Sequence, residues 1–292
     1  MPTFGRLLTA MVTPMKPDLS VDYDRAAALA HRLVENGSEG LVVSGSTGES
    51  PTLTPTEKLK LFETVVKAVG DKVAVIGGTG SYNTAESIEL SRRAEDTGVH
   101  ALLLVTPYYN RPPQEGLYQH FKAVAEATKL PCILYNVPSR TAINLAAQTT
   151  IRLAQIPNII GIKECGDLGQ VADILSGAPE GFTVWCGDDA ATLPYLSVGA
   201  YGIVSVASHL VGPQMQAMIK AFRAGEVDQA AAIHRQLMPI FRGLFAVTNP
   251  VLVKAALAMQ GFPVGSPRPP LVEASAEELG ALRKLLTSAG LL

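Results

Sequence analysis

The stretch "NIIGIKECGD", residues 158–167, holds a lysine in an otherwise apolar run. A buried ammonium is costly unless it is paired or gives up its proton. A desolvated lysine without a carboxylate partner favours the free amine, which is the form that attacks a carbonyl carbon. If the run is a strand, Lys163 points inward together with Gly161 and Ile159. Ile160, Ile162 and Glu164 then point outward, so Glu164 cannot easily neutralise the lysine. Lys163 reads as a reactive amine. The competing reading is a lysine that snorkels to the strand mouth.

Other polar residues fall at the ends of apolar runs. They are Ser46 and Thr47 in "GSTGES", Tyr108 and Tyr109 in "TPYYNRP", Tyr135 and Arg140 in "YNVPSRT", and Gly187 with Asp188 and Asp189 in "GDD". Each also has an ordinary reading. Ser and Thr beside Gly form turns, strand-end tyrosines pack, Arg140 is solvated, and the aspartates cap a helix. "GSTGES" lacks the Gly-Lys-Ser/Thr ending of a phosphate loop. The aspartate pair lacks an evident third metal ligand. Five histidines and three cysteines are scattered, with no zinc spacing among them. Cys132, Cys165 and Cys186 read as buried, reduced thiols.

These residues need elements to hold them. Apolar runs predict strands at 6–14, 40–45, 73–78, 101–106, 131–136, 159–164, 182–187 and 202–206. A helical pattern follows each, several with Ser, Thr or Asp near the start and Gly at the end. Continuous apolar strands alternating with amphipathic helices imply a parallel sheet. Eight such units predict a closed (β/α)8 barrel, a TIM barrel, with functional groups at the C-terminal strand ends. An open doubly wound sheet is less suited, because "TPMKPDLS" after the first strand is no Gly-rich phosphate turn. Residues 1–225 form the expected barrel and residues 226–292 a helical C-terminal domain, whose role the pattern leaves open. The net charge of -2 and the absence of a basic block argue against nucleic acid. No stretch nears the ~20 apolar residues of a membrane span, and a cytoplasmic location is expected.

With these residues in order, the chain closely resembles the dihydrodipicolinate synthase family. The resemblance is carried by "TAMVTPM", "GSTGESPTL", "TPYYNRPPQEGLYQHF", "LYNVPSRT", "NIIGIKE", "GDDA" and "NPVLVKAAL". It spans nearly the whole chain and implies a class I aldolase-type lyase of lysine and diaminopimelate biosynthesis. It implies that Lys163 forms the Schiff base with pyruvate, that Gly161 gives space beside the reacting carbon and that Tyr135 shuttles protons. Thr47 would link Tyr135 to Tyr109, which in this family reaches in from a neighbouring subunit of a homotetramer, a dimer of dimers. Arg140 would bind the carboxylate of L-aspartate 4-semialdehyde. Ser46, where the family most often has a second Thr, would join Thr47 in binding the pyruvate carboxylate. Main-chain groups at Gly187 and Val204 would line the lysine pocket, and no metal or organic cofactor is implied.

The resemblance also implies a feedback site near Ser50, Pro51, Pro55, Lys58, Tyr82, Glu86 and Tyr108. Lys58 would repel a cationic effector there, so weak or absent inhibition by L-lysine is expected. N-acetylneuraminate lyase and the 2-keto-3-deoxy sugar acid aldolases also use a pyruvate-binding lysine. Arg140 in "NVPSRT" favours the synthase over both. A pyridoxal-phosphate enzyme using Lys163, or a non-catalytic binding barrel, are the readings from other classes.

Overall fold

The computed structural model describes residues 4–292; residues 1–3, with which the expected barrel unit begins, lie outside the described residues. Eight parallel strands close into a barrel in sequence order. They are β1 (Leu7–Ala10), β2 (Gly40–Val43), β3 (Ala74–Gly78), β4 (Ala101–Val105), β5 (Cys132–Asn136), β6 (Ile159–Glu164), β7 (Thr183–Cys186) and β8 (Gly202–Ser205). Packing follows the strand period of two. Leu8, Ala10, Ala101, Leu103, Ile133 and Tyr135 join the cluster that fills the barrel. Leu7, Leu102, Leu104, Cys132 and Leu134 face the larger cluster between strands and helices. With both faces buried, the strands must read as continuous apolar runs.

Two expectations change. β1 is shorter than residues 6–14 and stops at Ala10. Beyond it Met11 N donates to Val42 O at 3.0 Å, and Thr13 Oγ1 donates to Gly48 O at 2.7 Å. The chain beyond β1 is therefore tied to β2 itself and to the loop after it. In β6, Ile159 faces the outer cluster and Ile160 packs on the inner one, the reverse of the predicted alternation. Cys132 pairs with Ile159 but Ile133 pairs with Gly161. The extra residue inverts the alternation before Gly161. From Gly161 onward the predicted phase holds.

The crossovers contain α1 (Tyr23–Glu35), α2 (Pro55–Val69), α3 (Thr84–Glu95), α4 (Gln114–Glu126), α5 (Pro138–Thr141), α6 (Ala147–Leu153), α7 (Leu168–Gly177) and α8 (Thr192–Ser197). Local chemistry starts them. Asp22, Asn83 and Asp167 accept first-turn N–H groups, and Thr54 with Glu57 forms a reciprocal capping box. After β8 come α9 (Ser208–Arg223), α10 (Val227–Gly243), α11 (Val251–Met259) and α12 (Ala276–Ser288). α10 packs along α9, and its Leu237, Ile240 and Phe241 enter the main core. Its connection to α11 reaches the barrel mouth. Among the described residues no helix is long and apolar enough to cross a membrane.

Candidate active site

Register places Tyr135 of β5 opposite Lys163 of β6, and Lys163 opposite Trp185 of β7. Both polar side chains thus rise from neighbouring strand ends inside the barrel. Lys163 Nζ stands 4.3 Å from the centroid of the Tyr135 ring. Lys163 is only 6% exposed, and no ion pair among the described residues includes it. Glu164 points the other way, as alternation requires. It accepts from Asn136 Nδ2 at 2.8 Å, Gly166 N at 2.6 Å and Gln170 Nε2 at 3.0 Å. Burial nevertheless pushes its carboxyl up to about 7.

Two glycines shape the lysine's surroundings. A Cβ at Gly187 would lie 2.2 Å from Cys165 Sγ and 2.9 Å from Lys163 Cε. Gly187 therefore leaves room for the lysine stem. A Cβ at Gly161 would lie 2.3 Å from the Thr183 carbonyl oxygen and 2.8 Å from the Trp185 ring. The glycine at 161 thus answers to the close approach of β7, which corrects the reading of it as space beside a reacting carbon.

Lys163 borders a cavity of about 820 Å³, together with Ser46, Thr47, Tyr135, Arg140 and Gly187. A second cavity of about 320 Å³ shares Ser46, Tyr135 and Arg140 with it and extends to Tyr108. Burial pushes the Tyr135 phenol up, while the charge of Lys163, a hydrogen bond with Ser46 and the charge of Arg140 pull it down. Thr47 Oγ1 instead accepts a hydrogen bond from Asn249 Nδ2 at 2.9 Å. Both hydroxyls therefore border the Lys163 cavity beside Tyr135, with that of Thr47 held by Asn249.

Two expected residues lie apart. Val204 is buried in the barrel interior and borders neither cavity, whereas Val206 borders that of Lys163. Tyr109 is 90% exposed and borders neither cavity. Its backbone is left-handed at φ 73°, an uncommon conformation for a non-glycine residue. Asp188 borders the Lys163 cavity and caps the turn after β7 through Ala190 N. Asp189 is buried and accepts from Ser205 Oγ at 2.5 Å, Ala207 N at 2.9 Å and Val206 N at 3.1 Å. Asp189 therefore pins the β7 loop to β8 and the residues after it. Among the described residues no three His, Cys, Asp or Glu side chains group as metal ligands would.

The dihydrodipicolinate synthetase family model matches residues 3–289. The chain belongs to this family. It is 71% identical over 293 residues to a 4-hydroxy-tetrahydrodipicolinate synthase of Symbiobacterium thermophilum, covering 100% of both chains. A dihydrodipicolinate synthase structure from Bacillus anthracis superposes with TM-score 0.97 at 47% identity, covering 99% of each chain. A structure of the Cyanidioschyzon merolae enzyme with lysine bound gives TM-score 0.97 at 47% identity and 99% coverage of each.

Sequence reasoning missed what this family member's C-terminal segment brings to the site. Phe241, Phe245, Val247 and Asn249 all border the Lys163 cavity. A signal was present. "VLVKAALAM" puts Lys254 in an apolar run just as "NIIGIKE" does Lys163. Lys254, unlike Lys163, is paired, with Nζ 2.5 Å from Glu49 Oε1.

Proposed function

We infer that the chain is a 4-hydroxy-tetrahydrodipicolinate synthase that condenses pyruvate with L-aspartate 4-semialdehyde. The observation that carries this reading is a buried lysine without an ion-pair partner among the described residues, 4.3 Å from the ring of a buried tyrosine. Lys163 attacks the pyruvate keto carbon and loses water to give an imine. The imine withdraws electrons and acidifies the methyl group. The resulting enamine attacks the aldehyde carbon, and the semialdehyde's amino group then displaces Lys163 as the ring closes. Each step moves a proton, which a positioned phenol can relay. Tyr135 is that phenol, and Thr47, on the same cavity wall, is the next hydroxyl of the relay. Thr47 and Ser46 receive the pyruvate carboxylate. Arg140 offers a planar fork to the carboxylate of the semialdehyde, and its place on both cavity walls supports this role. Main-chain groups at Gly187, on the cavity wall, and at Val204, in the barrel interior beneath it, line the lysine pocket in this reading.

The working molecule is a homotetramer, a dimer of dimers. The near-complete exposure of Tyr109 supports its insertion into a neighbour's site, where it extends the relay. Residues 1–225 are the catalytic barrel and 226–292 the helical domain. Three unpaired cysteines accord with a reducing cytoplasm. Borohydride treatment with pyruvate, followed by peptide mass mapping, tests the central step. An adduct on Lys163 and turnover of the semialdehyde are expected; an unmodified Lys163 overturns the reading.

A further inference from the structure

The loop after β2 is held from the far end of the chain. Glu49 follows Ser46 and Thr47 closely, is 3% exposed and has a left-handed backbone at φ 58°. Both its carboxylate oxygens are engaged. Oε1 meets Lys254 Nζ at 2.5 Å, and Oε2 accepts from Arg268 N at 2.7 Å. Lys254 Nζ also donates to Ser266 O at 3.1 Å, and Arg268 NH1 donates to Thr52 O at 2.7 Å. Asn249, five residues before Lys254, donates to Thr47 Oγ1 at 2.9 Å. Opposite, Thr13 Oγ1 ties down Gly48 O at 2.7 Å.

A buried ion pair is a poor source of stability, because desolvating both charges offsets their attraction and apolar residues of similar size would serve as well. What such a pair does well is hold one geometry. A non-glycine residue in left-handed conformation likewise persists only where its surroundings over-determine it. Here both features sit beside the hydroxyls that border the Lys163 cavity. We propose that Lys254 and Glu49 are positioning residues: the ion pair lets the C-terminal helices set the pose of Thr47 and Ser46 toward the pyruvate carboxylate. This rests on the assignment of those hydroxyls made above. It also gives the C-terminal extension a part in substrate recognition beyond covering the barrel.

The test is a mutant cycle. Glu49→Gln/Lys254→Met removes both charges together, so neither is left orphaned. Its KM for pyruvate should rise at least tenfold, about 1.4 kcal/mol of binding, with kcat per borohydride-titrated site changing less than threefold. In a Thr47→Val background the same pair of changes should raise that KM less than threefold, because the hydroxyl it positions is gone. A merely structural pair would lower thermal stability and the titrated fraction, leave KM alone, or add independently to Thr47→Val; each of these results overturns the clamp. If Thr47→Val by itself leaves the pyruvate KM unchanged, the hydroxyl assignment falls and the clamp with it. Should the double variant fail to fold, Lys254→Gln keeps a donor toward Glu49 and is judged by the same cycle.

Discussion

Replacing Gly187 with alanine should disable Lys163 without touching a polar group. The added methyl would lie 2.9 Å from Lys163 Cε, 3.2 Å from its Cγ and 2.2 Å from Cys165 Sγ. Ordinary carbon contacts begin near ~3.5 Å, so both neighbours must move. Cys165 directly follows β6 and Lys163 lies inside the barrel, so relief comes through strained rotamers or backbone shifts, about 1–3 kcal/mol and roughly 2–5 °C in Tm for a chain of this size. A shift of about 1 Å in the amine away from its line of attack should slow imine formation about 100-fold. The assay is the rate of borohydride-trapped pyruvate adduct by intact mass, beside calorimetry. Cys165→Ala/Gly187→Ala separates the two effects. Removing the sulfur relieves the shorter contact and should restore most of the Tm. The contact with Lys163 persists, so trapping should stay slow. Trapping of Gly187→Ala at the wild-type rate would refute the packing argument, and recovery of both properties in the double variant would assign the effect to Cys165 alone.

Glu164→Gln tests the neighbouring carboxyl. Its folded-state value is pushed from 4.5 to about 7 by burial, so the folded chain holds that proton more tightly than the unfolded one. The associated stability is present below 4.5 and is lost as pH rises to about 7, roughly 3 kcal/mol in all. Urea melts at pH 5 and 8 should show the variant gaining on the wild type by about that amount at the higher pH; a pH-independent offset would defeat the assignment. Tyr109→Phe should cut turnover at least tenfold while leaving the Tm within a degree or two, because the ring is exposed in the single chain. Unchanged turnover would remove the shared site. L-Lysine should inhibit weakly or not at all. Lys58 lies on α2, where burial pulls its ammonium down and the charge of Glu86 pushes it up; a micromolar inhibition constant would contradict this.

The barrel was legible in the sequence because each strand is buried on both faces and so must be apolar throughout, with capped helices between. Lys163 was legible for the same reason, as a charge where the run forbids one. Facts of register and distance were not. A residue added opposite the start of β5 inverted Ile159 and Ile160, and Gly161 proved to answer to Thr183 and Trp185. That Thr47 Oγ1 meets Asn249 depends on how the loop turns, and an adjacent Ser-Thr pair carries no mark of that. The link from Asn249 and Lys254 to residues 47 and 49 joins positions about 200 apart. The one-dimensional pattern fixes which residues must be buried, since burial is a property of each residue type. Which buried groups meet is decided only when the barrel closes and the C-terminal helices lie across its mouth.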